Sequence, residues 1–143
     1  MKTETTQVYQ VRIAATPQQI WDAITRPEFT LRYFHGAAVE VTPHRMTASG
    51  PEGQVWGDSE TLEFDPPRRL AYGWRSLYDA ELALEAESRV TWEIEPDTAG
   101  SCTLTVTHDR LEAAPKTAEH VFGEGWMSVL TGLKRMLEAG LSL

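Results

Sequence analysis

Between Ala37 and Leu111 the chain offers one strand-type segment after another, and this run limits the fold more than any other feature. "AVEVT" (38–42), "RMTAS" (45–49), "SETLEF" (59–64), "RLAYGW" (69–74), "RVTWEIE" (89–95) and "CTLTVTH" (102–108) are separated by the turn-forming groups "GPEG", "DPP" and "PDTAG". Connections that short join antiparallel neighbours, because a parallel crossover needs a dozen residues or more. Side chains alternate across a strand. Leu62 with Phe64, then Leu70, Tyr72 and Trp74, then Val90, Trp92 and Ile94, and then Leu104 and Val106 should therefore each share one face. Those apolar faces need a cover.

The two ends of the chain supply it. "VYQVRIAA" (8–15) alternates as a half-buried strand and stops at "TPQQIWDAI", where Thr16 suits an N-cap and Pro17 the first helical position. Pro27 opens a second short helical piece, "PEFTLRYF", in which Leu31 and Phe34 are spaced to share a face and Gly36 closes it. After Pro115 the apolar period becomes helical, from Val121 through Trp126, Val129, Leu130 and Leu133 to Leu141. This predicts one long helix of about 24 residues, roughly 36 Å, enough to lie across a sheet. "RSLYDAELALEAES" (75–88) suits a helix or a long hairpin loop equally.

The expected architecture is an α+β domain spanning 1–143, with one antiparallel sheet and helices gathered on one side. At 143 residues, 41% hydrophobic and 24% charged, the chain has the length and make-up of one ordinary globular domain. Its net charge of −8 opposes nucleic acid and anionic lipid surfaces as partners. The start "MKTETTQVYQ" lacks the basic and apolar run of a secretion signal, and no apolar stretch is long enough to insert in a membrane, so a cytoplasmic location is expected. Cys102 is the only cysteine, which excludes an internal disulfide.

"EFDPPRRLAYGW", "SRVTWEIEPDTAGSCTLTVTHDRL" and "GWMSVLTGLKRML", in this order of elements, resemble the SRPBCC superfamily of START-like helix-grip proteins. The branch they are most similar to is that of the activator of heat shock protein 90 ATPase homologues. The resemblance runs from about Val8 to Leu137. It implies a curved sheet of about seven antiparallel strands around the long C-terminal helix, two short helices after strand 1, and a deep, mostly apolar cavity between sheet and helix. Such folds serve lipids, hydrophobic metabolites, polyketide cyclisation and partner proteins. One departure is that "RMTASGPEG" stands where the branch often has a double glycine opening its third strand.

His108 continues the face of Leu104 and Val106, which makes it a core histidine, a polar anchor for a ligand, or an acid-base group. Glu60 shares the parity of Leu62 and Phe64, and an inward Glu60 would need a partner, with His108 the best acid-base couple available. Tyr72, Trp74 and Trp92 offer flat apolar area with a polar tip. The expected ligand wall is Leu62, Phe64, Tyr72, Trp74, Trp92, Val106, His108, Trp126, Val129, Leu130 and Leu133. Gly123 and Gly125 in "VFGEGWM" each cost a helix about 1 kcal/mol, which points to a bend, a close approach or a gate.

His35, His44, His108 and His120 have no metal-ligand spacing, so no metal and no cofactor is expected. No nucleophile elbow occurs either. The leading expectation is non-covalent binding of a small hydrophobic or amphipathic molecule. A cyclase or dehydratase using Glu60 and His108 is the alternative, and a chaperone- or partner-binding module is a third. Self-association as a homodimer through an edge strand or the last helix is compatible with each.

Overall fold

A computed structural model describes residues 5–122 and 124–139. The elements run β1 (Gln7–Ile13), α1 (Pro17–Thr25), α2 (Pro27–Thr30), β2 (Ala38–Val41), β3 (Arg45–Ser49), β4 (Val55–Asp65), β5 (Arg69–Trp74), β6 (Ser88–Pro96), β7 (Cys102–Asp109), α3 (Pro115–Val121) and α4 (Glu124–Glu138). All seven strands form one antiparallel sheet in the order β1-β7-β6-β5-β4-β3-β2. The architecture is the α+β helix-grip arrangement.

Local chemistry explains the first corner. Thr16 and Gln19 form a reciprocal capping box at the start of α1, Gln19 N–H donating to Thr16 Oγ1 at 3.1 Å and Thr16 N–H to Gln19 Oε1 at 2.9 Å. Ile20, Trp21, Ala23 and Ile24 are the buried stripe of that helix. The second helix is shorter than its sequence pattern suggests. It ends at Thr30, whose hydroxyl donates to Ala37 O at 2.9 Å and accepts from Val39 N–H at 2.7 Å, pulling the chain straight into β2. Phe29 and Phe34 are buried while Leu31 is 50% exposed, so Leu31 and Phe34 do not share a face.

The C-terminal region differs most from expectation. Instead of one helix from Pro115, the chain forms α3 and α4, parted where Phe122 adopts an extended backbone. Gly123 lies outside the described residues. At Gly125 a Cβ would lie 3.4 Å from His120 O, an ordinary contact between the start of α4 and the end of α3. The ambiguous segment 75–88 is a loop carrying only a short 3-10 turn, Leu82–Leu84, and its last residue, Ser88, already opens β6.

Trp126, Val129, Leu130, Leu133 and Met136 form the buried face of α4, and β1, β6 and β7 face it with Ile13, Val90, Trp92, Ile94, Leu104 and Val106. Its far end is fastened to β1: Lys134 Nζ donates to Arg12 O at 2.6 Å, and Glu138 accepts from Ala14 N–H at 2.9 Å. Leu130 is fully buried, so Leu130→Ala should cost about 2–5 kcal/mol in urea unfolding. Leu31→Ala, at a half-exposed position, should stay within about 0.5 kcal/mol of the parent.

Candidate functional site

His108 is fully buried and both of its ring nitrogens are occupied. Trp126 Nε1–H donates to Nδ1 at 3.1 Å, and Nε2 lies 2.7 Å from Ser88 Oγ. With Nδ1 accepting, the proton sits on Nε2 and is donated to Ser88, whose hydroxyl reaches Trp74 O at 3.2 Å. The chain of bonds joins α4 to β7, β6 and β5. Burial, only partly offset by Asp109, pushes the His108 pKa down to about 3, so the ring is neutral. A proton on Nδ1 would set two N–H groups against each other. His108 is a satisfied core histidine.

Glu60 is exposed. The expected Glu60 and His108 couple therefore does not assemble. The reason is a bulge in β4 between Thr61 and Glu63, which inserts one residue and breaks the alternation on which the parity of Glu60, Leu62 and Phe64 rests. Leu62 is 47% exposed, and Phe64 packs edge-on against Trp21 of α1, with ring centres 5.2 Å apart.

A cavity of about 420 Å³ does exist, displaced from the expected place. It lies over β2 to β5, beside the start of α4 rather than along that helix. Val39, Met46, Ala48, Gly57, Tyr72 and Trp74 line its sheet side, and Phe34 and Ala37 close it from the loop after α2. The pairing of Val39 with Ala48 and of Val41 with Met46 turns these side chains to one face. Gly125, Trp56, His35, Arg75, Tyr78 and His120 complete the lining, and the last four of these are exposed, which places them at the mouth. A side recess of about 60 Å³ continues towards Val121, Trp126 and Val129.

Of the residues expected in the wall, Tyr72 and Trp74 line the cavity, and Trp126 and Val129 line the recess. Trp92, Val106, His108, Leu130 and Leu133 belong to solid core. Trp126 is the partition between the two regions. Its ring meets Trp74 at 5.6 Å, Trp92 at 5.6 Å, Phe34 at 6.0 Å and His108 at 5.8 Å. Val39, Met46 and Ala48 could have been found by strand alternation. Tyr78 and His120 carried no readable signal, because one sits in an irregular loop and the other on an exposed helix surface.

The mouth has its own hydrogen bonds. Tyr78 Oη lies 2.6 Å from His120 Nε2, and partial burial, opposed by the Ser76 hydroxyl and helped by Asp79, raises the Tyr78 pKa. Glu85 from the 75–88 loop caps α3 in place of a local residue, accepting from Lys116 N–H at 2.9 Å and Thr117 N–H at 2.7 Å. Burial works against it, yet these donors and the Thr117 hydroxyl hold the Glu85 carboxyl below its ordinary pKa. Among the described residues no cluster of side chains is arranged to hold a metal ion. No described helix is long and apolar enough to cross a membrane.

The family described as activator of Hsp90 ATPase homolog 1-like protein matches residues 14–138. The chain belongs to that family. Among solved structures, a Mesorhizobium loti protein is similar at 24% identity and a TM-score of 0.75, covering 94% of this chain and 97% of that one. An HSP90 activator from Plasmodium falciparum is similar at 19% identity and a TM-score of 0.73, with 94% and 97% covered. CalU16 from Micromonospora echinospora is similar at 18% identity and a TM-score of 0.70, with 95% and 78% covered. At such identities the likeness is one of fold. No curated protein matches this sequence at a significant level.

The depressed His108 pKa has a measurable consequence. The unfolded chain binds this proton near pH 6.5 and the folded chain only near 3, so the stabilisation is complete above pH 6.5 and is lost as the pH falls between these values. By about pH 5 the loss from this one residue should be about 2 kcal/mol. His108→Gln retains one acceptor and one donor but does not titrate. Urea unfolding should show a shallower acid loss in that variant than in the parent, and parallel curves would contradict the assignment.

Proposed function

We propose that the chain binds a small hydrophobic or amphipathic molecule in the cavity above β2 to β5, without covalent chemistry. The observation that carries this reading is a hollow of about 420 Å³ walled by aromatic and aliphatic side chains and open to solvent at one end. That size falls within the range of small-molecule sites, and such sites are mostly apolar with a few polar groups that orient the guest. Apolar surface removed from water contributes about 25 cal/mol per Å² before the costs of association. Acid-base catalysis by Glu60 and His108 has no geometric support.

A neutral apolar dye such as Nile red should bind saturably, and Trp56 and Trp74 in the wall should report it by fluorescence quenching. Ala48→Trp, which fills the hollow, should abolish the binding, whereas Leu62→Trp at an exposed position should leave it intact. Native mass spectrometry of protein purified from its own host should carry the extra mass of a guest. Dye binding unchanged by Ala48→Trp would reject the cavity as the site.

Partner-protein binding is the second reading. It is favoured by the family and by Leu84, 87% exposed on the short turn of the 75–88 loop. Stimulation of an Hsp90 ATPase that is lost in Leu84→Asp is the expected result of this reading, and absence of stimulation rejects it.

A further inference from the structure

We infer that the guest is an amphipathic anion, a carboxylate-bearing molecule whose charged head sits at the cavity mouth on Arg75 while its apolar body enters between Trp56 and Trp74. This rests on the cavity reading above and adds the charge of the ligand to it. The chain has 21 acidic residues against 13 lysines and arginines, yet no aspartate or glutamate lines the cavity among the described residues. Its polar lining residues are instead Arg75, His35, His120, Tyr72 and Tyr78, whose side chains are all able to donate.

Arg75 is the only lysine or arginine in that lining, and its side chain has no hydrogen bond or ion pair among the described residues. Arg12, Arg45, Arg68, Arg69 and Arg89 are each paired with a carboxylate, and among the described arginines without such a pair Arg75 is the one that lines the cavity. Asp79 is the acid nearest in sequence, but its Oδ1 is taken by the Glu81 and Leu82 amides of its own loop. Glu81 is paired with Lys116 beyond His120. An unpaired guanidinium at the edge of an apolar hollow can take a carboxylate as a forked, charge-assisted pair. A cationic guest would meet Arg75 as a like charge.

The experiment compares decanoate with decanol, which share a chain and differ in head group, by quenching of tryptophan fluorescence at neutral pH. Decanoate should bind about tenfold more tightly, the scale of one charge-assisted hydrogen bond. Arg75→Gln should remove that preference, leave decanol binding within about twofold, and leave thermal stability unchanged because the residue is exposed. Arg75→Lys should retain part of it. Equal binding of both probes, or a decanoate preference that survives Arg75→Gln, overturns the inference while the cavity reading stands. Failure of both probes to bind overturns the two together.

Discussion

A single helix about 10 Å across cannot cover a sheet of seven strands, which at about 4.8 Å spacing is roughly 29 Å wide. Everything notable in this molecule follows from how the remaining width is used. α4 commits itself to the β1, β7 and β6 half, where its buried stripe and the Lys134 and Glu138 contacts hold it. α1 reaches from β6 to β2, the β5 to β2 half receives α2 and the aromatic side chains of the following loop, and these do not fill it. The hollow is the uncovered remainder.

The boundary between the full half and the empty half is polar, and that fixes its position. Trp126 could slide against Trp74 or Trp92 at small cost if only ring contacts held it, since such contacts are weakly directional. The indole N–H bonded to His108 removes that freedom, and Ser88 in turn fixes the imidazole. A buried network of this kind is favourable only when every member is satisfied, and here no described buried side-chain donor or acceptor lacks a partner. One histidine therefore sets where packing stops and vacancy begins, although it touches neither the cavity nor the solvent.

Much of the fold was legible because alternation, turn residues and caps agreed with one another, as at Thr16, Pro17 and Gln19. The site was less so, for reasons that trace to particular residues. The extra residue in β4 reversed the parity of Glu60 and Leu62, and a bulge has no signature in a run of alternating polar and apolar side chains. The break at Phe122 was hidden by an apolar stripe that continues across it, with only the nearby glycines as a hint. Arg75 and Tyr78 come from the loop after β5 and His120 from α3, and nothing in their local sequence says that they converge. His108 lies on the buried face that its parity with Val106 predicts, while its contacts depend on Trp126 and Ser88, which the pattern could not place beside it.

The interruption between α3 and α4 divides the molecule into parts that can change independently. α3 hangs from the 75–88 loop through the Glu85 carboxylate at its N-terminus, while α4 is rooted in the sheet. Loop and short helix together frame the doorway, and the loop touches the sheet at Leu77, whose N–H donates to Trp56 O of β4 at 2.9 Å. Lengthening, shortening or recharging them would alter what passes inward while the folded body kept its strength. A scaffold organised in this way can acquire new guests by revising its porch alone.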